Sequence, residues 1–124
     1  MSSHRETVEI VDKLIELTQH NQLIWESSEP PYNLTGPDVR IDLVYTTDYL
    51  DRCIRIYQKG YKLYIDDVQF FWDSRIIFEF IDLSGNSLWQ FPQTSNVWDL
   101  LRSIQYQNSN ISDFYKQIFG TSAM

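Results

Sequence analysis

From Val39 onward the apolar residues recur at every second position, and the links between the alternating runs are too short for most sheet architectures. Val39, Ile41, Leu43 and Tyr45 alternate with polar neighbours, as do Ile54 and Ile56 with Arg55 and Tyr57, and Tyr61, Leu63 and Ile65 with Lys62 and Tyr64. Ile76 to Leu83 and Leu88 to Phe91 continue the series, and Pro92, which has no N–H to give a ladder, closes it. Asp48 to Asp51, Lys59-Gly60 and Ser84-Gly85-Asn86 supply the turns. A parallel crossover needs a dozen or more residues, so these runs should pair as an antiparallel meander.

The flanks read as helices. Ser3-His4-Arg5-Glu6 has the spacing of a capping box, and Val8, Val11, Leu14, Ile15 and Thr18 then recur at three- and four-residue intervals up to a stop at His20-Asn21. Gln22 to Glu26 is short and apolar and reads as a first strand. Ser27 to Pro37 holds three prolines and a glycine, which makes it the longest loop. Asn96 is placed to cap a helix over Val97 to Tyr106. A last helix carries Ile111, Phe114, Tyr115, Ile118 and Phe119 on one stripe before Gly120 ends it. The expectation is a single α+β domain over residues 1–124: an N-terminal helix, an antiparallel sheet of five to six strands in meander order, and two C-terminal helices.

Charge narrows the partners. The net charge is −7, and residues 1–38 hold seven acids against two bases, residues 39–82 eight against six, and residues 83–124 two against two. The acidity therefore sits in the N-terminal third. Ten bases without a cluster cannot neutralise a phosphate backbone, which argues against nucleic acid and against anionic membrane surfaces. The lone Cys53 allows no internal disulfide, and no apolar run approaches the length of a membrane span, so a cytoplasmic protein is expected.

Tyr64 to Asp82 packs five carboxylates and six aromatic rings into nineteen positions, which invites a metal-dependent reading. A shared ion requires oxygens about 2.0 to 2.6 Å from it, and a pleated hairpin spreads its acids. Placing Asp66 across from Ile76 leaves Glu79 about 10 Å farther along the partner strand. Asp66, Asp67, Asp73 and Asp82 read better as turn and strand-end residues that bind local backbone N–H groups. The Glu-x-Lys of nuclease cores is missing, since Phe80 and Ile81 follow Glu79. Glu79 lies in a strand apolar on both faces and needs a partner, for which Lys62 and Arg55 are the candidates. His4 and His20, sixteen residues apart, cannot share a metal. The sequence assigns no catalytic residue, metal ligand or cofactor.

With Ile54, Ile56, Tyr61, Leu63, Ile65, Phe78 and Phe80 turned inward, the opposite face would show Arg55, Tyr57, Lys62, Tyr64, Ile77, Glu79 and Ile81. Tyrosine, arginine and scattered aliphatics are the composition of protein interfaces. Either a partner or one of the helices must cover such a face. Of the four tryptophans, Trp25, Trp89 and Trp98 read as mostly core, and Trp72, in the connection Phe70-Phe71-Trp72, as a contact residue. The reading is a non-enzymatic protein-binding or regulatory domain whose interface candidates are those residues with Trp72, and whose partner is another protein or a second copy in a homodimer. The alternative is a small metal-dependent hydrolase or nuclease using Glu79 with Asp66, Asp67 or Asp82.

The order of LIELTQHNQLIWE, RCIRIYQKGYKLYIDD, FEFIDLSGNSLWQFP and VWDLLRSI resembles a family of small, mainly cyanobacterial proteins of unknown function. In these a helix leads into a strand ending in Leu-x-Trp, then a meander, an Asp/Gly turn and a late helix. The resemblance implies a compact cytoplasmic domain and carries over no catalytic residue.

Overall fold

The computed structural model describes residues 4–120. Helix α1 (His4–Gln19) leads into β1 (Glu26–Ser28), a 3-10 turn at Tyr32–Leu34, and strands β2 (Val39–Arg40), β3 (Val44–Tyr49), β4 (Arg52–Tyr64), β5 (Phe70–Ile81) and β6 (Ser87–Gln90). Helices α2 (Val97–Asn108) and α3 (Ile111–Phe119) follow. The six strands form one antiparallel sheet in the order β1-β3-β4-β5-β6, with β2 beside β4. The architecture is therefore the α+β meander that the alternation implies.

One layer of core forms where the helical stripes meet the even-numbered side of the central strands. Val11 and Leu14 from α1 and Val97, Leu100, Leu101 and Ile104 from α2 pack with Ile54, Ile56, Ile76 and Phe78. Phe78 stacks on Phe91 with ring centroids 4.4 Å apart. Asn21 takes the left-handed conformation (φ 54°) expected where α1 stops. Ser3, the expected cap of α1, lies outside the described residues. Asn96 precedes α2 as expected but does not cap it with its side chain. Its amide donates instead to the Val8 carbonyl (3.0 Å) and to Asp12 Oδ1 (2.8 Å), which ties the start of α2 to α1. Of the tryptophans only Trp25 is fully in the core, its indole N–H donating to Thr18 Oγ1 at 2.9 Å, whereas Trp89 and Trp98 reach the surface. The first strand begins at Glu26, later than the apolar run Gln22 to Glu26, because Leu23 and Trp25 are used in the helix-side core.

Lys59-Gly60 is not a turn. Both residues lie inside the thirteen-residue β4, paired with Arg75 and Ser74, and the glycine serves a close approach: a Cβ there would stand 3.3 Å from Arg40 Cβ on β2. Running straight through Gly60 reverses the parity expected for the second half of the strand. Tyr61 and Leu63 share a face with Arg55 and Tyr57, and Lys62 and Tyr64 share one with Ile54 and Ile56. On the other edge of β4, β2 pairs as Arg40↔Gly60 and β3 as Val44↔Tyr57, a one-residue change of register across 41–43. That irregularity lets Ile41 leave the alternation and join Leu34 over Val44, Tyr57 and Ile77, a second, smaller core on the far face of the sheet.

The hairpin turn is at 65–69, closed by the Ile65 N–H to the Gln69 carbonyl (2.8 Å) and by Asp66 Oδ1, which accepts the N–H groups of Val68 and Gln69. Phe70-Phe71-Trp72 is consequently strand, not connection, and Trp72 faces Lys62. The accessible surface is 8631 Å², against roughly 7,000 Å² expected for a compact monomer of this mass. The outer half of the β4–β5 hairpin and α3 contribute to it, since exposed residues run there without a buried one.

Candidate interaction surface

The eight candidate residues separate into two groups. Arg55, Tyr57, Ile77 and Glu79 are buried, so the expected open Tyr/Arg face does not exist at these positions. Its cover is not a helix. Leu34 and Ile41, from the loop before β3, lie over Tyr57 and Ile77, and Gly85 of the β5–β6 turn approaches Arg55 Nη1. Ile81, at the end of β5, is half-buried.

Within this interior Arg55 and Glu79 are opposite one another across β4 and β5, both 3% exposed. Arg55 Nε and Nη2 each donate to Glu79 Oε2 at 2.8 Å. Of the two partners named for Glu79, arginine holds it, because register places Arg55 directly across while Lys62 faces Trp72. Burial, and secondarily the Glu79 charge, pushes the Tyr57 hydroxyl up to about 12. The Cys53 thiol is likewise raised, first by burial and then by Asp48, which makes it a poor nucleophile.

The carboxylates do not converge. Asp66 closes the turn at one end of β5, and Asp82 closes the turn at the other, accepting the N–H groups of Ser84 and Asn86 at 2.9 Å. These backbone donors hold both carboxyls below their ordinary range: Val68 then Gln69 for Asp66, and Asn86 foremost for Asp82. The twelve residues of β5 stand between them, about 40 Å of strand. Glu79, with its oxygen occupied by a guanidinium, is not disposed to share an ion with either. Among the described residues no group of three His, Cys, Asp or Glu side chains could hold a metal.

Lys62, Tyr64 and Trp72 form the second group, brought together on the outer half of the hairpin, and the structure adds Asp38, Arg40 and Phe70 to them. The guanidinium of Arg40 lies 3.7 Å from the centroid of the Trp72 ring, and Lys62 Nζ lies 4.4 Å from that of Phe70. Phe70 in turn meets Tyr64 at 5.6 Å and Trp72 edge-on at 6.4 Å. Asp38 Oδ1 receives Lys62 Nζ at 3.3 Å and the Tyr64 hydroxyl at 3.4 Å. Exposed contacts of this kind contribute little stability, but they fix the orientation of the rings. Arg40 and Phe70 escaped the sequence reading because only an uninterrupted β4 brings Gly60 against β2 and turns Phe70 to the same side as Tyr64. At the root of the arm a groove of roughly 630 Å³ opens between Arg40, Trp72 and Ser74 on the sheet and Leu101 and Gln105 on α2.

The outer edge of β5 is partly closed. Phe91 N–H donates to the Phe78 carbonyl, the Gln93 side chain to that of Ile76, and the Ser74 N–H is taken by Asp73 Oδ1. Alternation makes these the outward-pointing positions, and there the Phe78 and Ile76 carbonyls and the Ser74 N–H have partners within the chain.

No protein family, curated protein or solved structure matches the chain.

Proposed function

We propose that the protein is a non-catalytic binding domain that engages a protein partner through the outer half of the β4–β5 hairpin, in a cytoplasmic setting where the lone Cys53 stays reduced. One observation carries the reading: the hairpin runs on past the buried core and displays Tyr64 and Phe70 on one face, Leu63 and Phe71 on the other, and Ile65 and Val68 at its turn, at 42–82% exposure. Large apolar side chains displayed on a projecting hairpin mark a contact site. Its chemistry is that of an interface centre, with tyrosine, tryptophan and arginine oriented by one another and few rotatable bonds left to order. None of the described helices is long and apolar enough to cross a membrane.

The test is affinity capture from the native host with the wild-type chain and with the double variant Tyr64→Ser, Phe70→Ser. Both side chains are exposed, so the variant keeps its fold, which circular dichroism checks. Loss of a specific captured protein, with affinity falling at least tenfold when the purified pair is measured, supports the proposal. Equal affinity of both chains for every captured protein refutes it.

A further inference from the structure

Helix α3 buries no side against its own fold: all nine of its residues are exposed. With successive residues about 100° apart, Ile111, Phe114, Tyr115, Ile118 and Phe119 share one side of its nine residues. Such a stripe normally lies against a core, yet here these five residues are 36–62% exposed. The other side is not packed either: Ser112 and Asp113 are exposed and, with Asn110, border an open groove of roughly 790 Å³ against Ile24 and Tyr106. Asn110, in the left-handed conformation (φ 57°), sets the bend at which α3 leaves α2.

A helix of nine residues is too short to persist by its own hydrogen bonds, since isolated helices below roughly 12–15 residues are marginal and draw their stability from burying an apolar face. The fold of one chain does not bury this one. We propose that α3 is a dimerisation helix, two copies of the chain pairing stripe to stripe across a two-fold axis near Phe114 and Tyr115.

Charge permits a second copy as the occupant. A chain of net charge −7 repels its own kind, but residues 83–124 hold two acids and two bases, so the two molecules meet through the neutral third of each. Asp113 and Lys116, the charges of α3, lie on the side away from the stripe, and pairing desolvates neither. A helix that lies on an anionic membrane needs a basic polar face, whereas this one balances a single lysine with an aspartate. The area is sufficient for a weak specific dimer: five side chains of about 150–250 Å² each, about half exposed, remove roughly 500 Å² per chain, or about 1,000 Å² in all. An interface at this low end of the size range is expected to be weak, dissociating at about micromolar concentrations.

Sedimentation velocity over about 1 to 200 µM tests the proposal. The wild-type chain should pass from one chain mass to two, and Phe114→Glu or Ile118→Glu should hold it at one chain mass throughout. Because these side chains are exposed in a single chain, the variants keep the circular dichroism of the wild type at low concentration. A wild type that stays monomeric over the whole range, or a dimer that survives both substitutions, overturns the proposal. So does a dimer lost in the arm variant Tyr64→Ser, Phe70→Ser, since the hairpin and not α3 would then join the copies. Binding of a monomeric wild type to phosphatidylserine vesicles, abolished by Phe114→Glu, would assign the stripe to a lipid surface instead.

Discussion

Removing one member of the Arg55–Glu79 pair strands the other as a charge in the interior, and the structure sets the size of the penalty. Both side chains are 3% exposed, and both arginine donors end on one carboxylate oxygen, so water cannot replace a lost partner without opening the sheet. Breaking a buried pair of this kind costs about 3–5 kcal/mol, while exchanging both members for apolar residues is often neutral or stabilising. Arg55→Met and Glu79→Leu should therefore each be severely destabilising, and the double variant should recover most of the loss. With an unfolding entropy of about 2.1 cal/mol/K per residue, the 124-residue chain gains or loses about 4 °C in Tm per kcal/mol. The single variants then melt roughly 12–19 °C below the wild type and the double variant within a few degrees of it. Thermal and urea unfolding followed by circular dichroism measure the cycle, and Arg55→Lys, which keeps the charge and loses the two-pronged fork, should fall in between. Single variants within about 1 kcal/mol of the wild type, or a double variant carrying the sum of both losses, would refute the argument that the pair is held in a dry interior.

Tyr57 predicts an alkaline limit. Its hydroxyl ionises at about 12 in the folded chain against 10 in the unfolded one, so the folded state binds the proton more tightly. The associated stability, about 2–3 kcal/mol, is present below pH 10 and is lost as pH rises from 10 through 12. Spectrophotometric titration of the tyrosines with urea melts across that window should show the loss, and Tyr57→Phe should abolish its share. Gly60→Val tests the continuous β4. Valine suits a strand, but its Cβ would stand 3.3 Å from Arg40 Cβ and 3.5 Å from the Arg40 carbonyl, so overpacking should cost about 1–3 kcal/mol and alter the fluorescence of Trp72, which Arg40 covers. Unchanged stability and emission would mean that β2 does not approach there.

The sequence was most legible where one physical requirement has one solution. Alternating runs joined by short links have no option but antiparallel neighbours, and the aspartates at 66 and 82 close the turns that their position beside glycine or an open loop implies. Glu79 was recognisable as a carboxylate in need of a cation, and Arg55 was one of two that could answer. It was less legible where one residue serves two purposes. A glycine in an alternating run marks either a turn or a close approach of backbone, and Gly60 could supply either a turn or the approach of β2. The choice decides parity, so a single misplaced turn exchanged the faces of Tyr61 and Leu63 with those of Lys62 and Tyr64 and concealed the cluster around Trp72.

The stripe on α3 shows a different limit. Five apolar residues at helical spacing establish that a surface must cover them, and the usual inference is that the same chain provides it. Amphipathicity, however, describes one half of a contact. On α1 and α2 the other half is the even-numbered face of β4 and β5, so the periodicity of strands and helices in one sequence matches side for side. For α3 the buried apolar positions of the sheet are already paired: the helix-side ones with α1 and α2, those of the far face with Leu34 and Ile41. A chain that has more apolar faces than its own fold can pair has encoded a contact with something else, and that surplus is where its function should be sought.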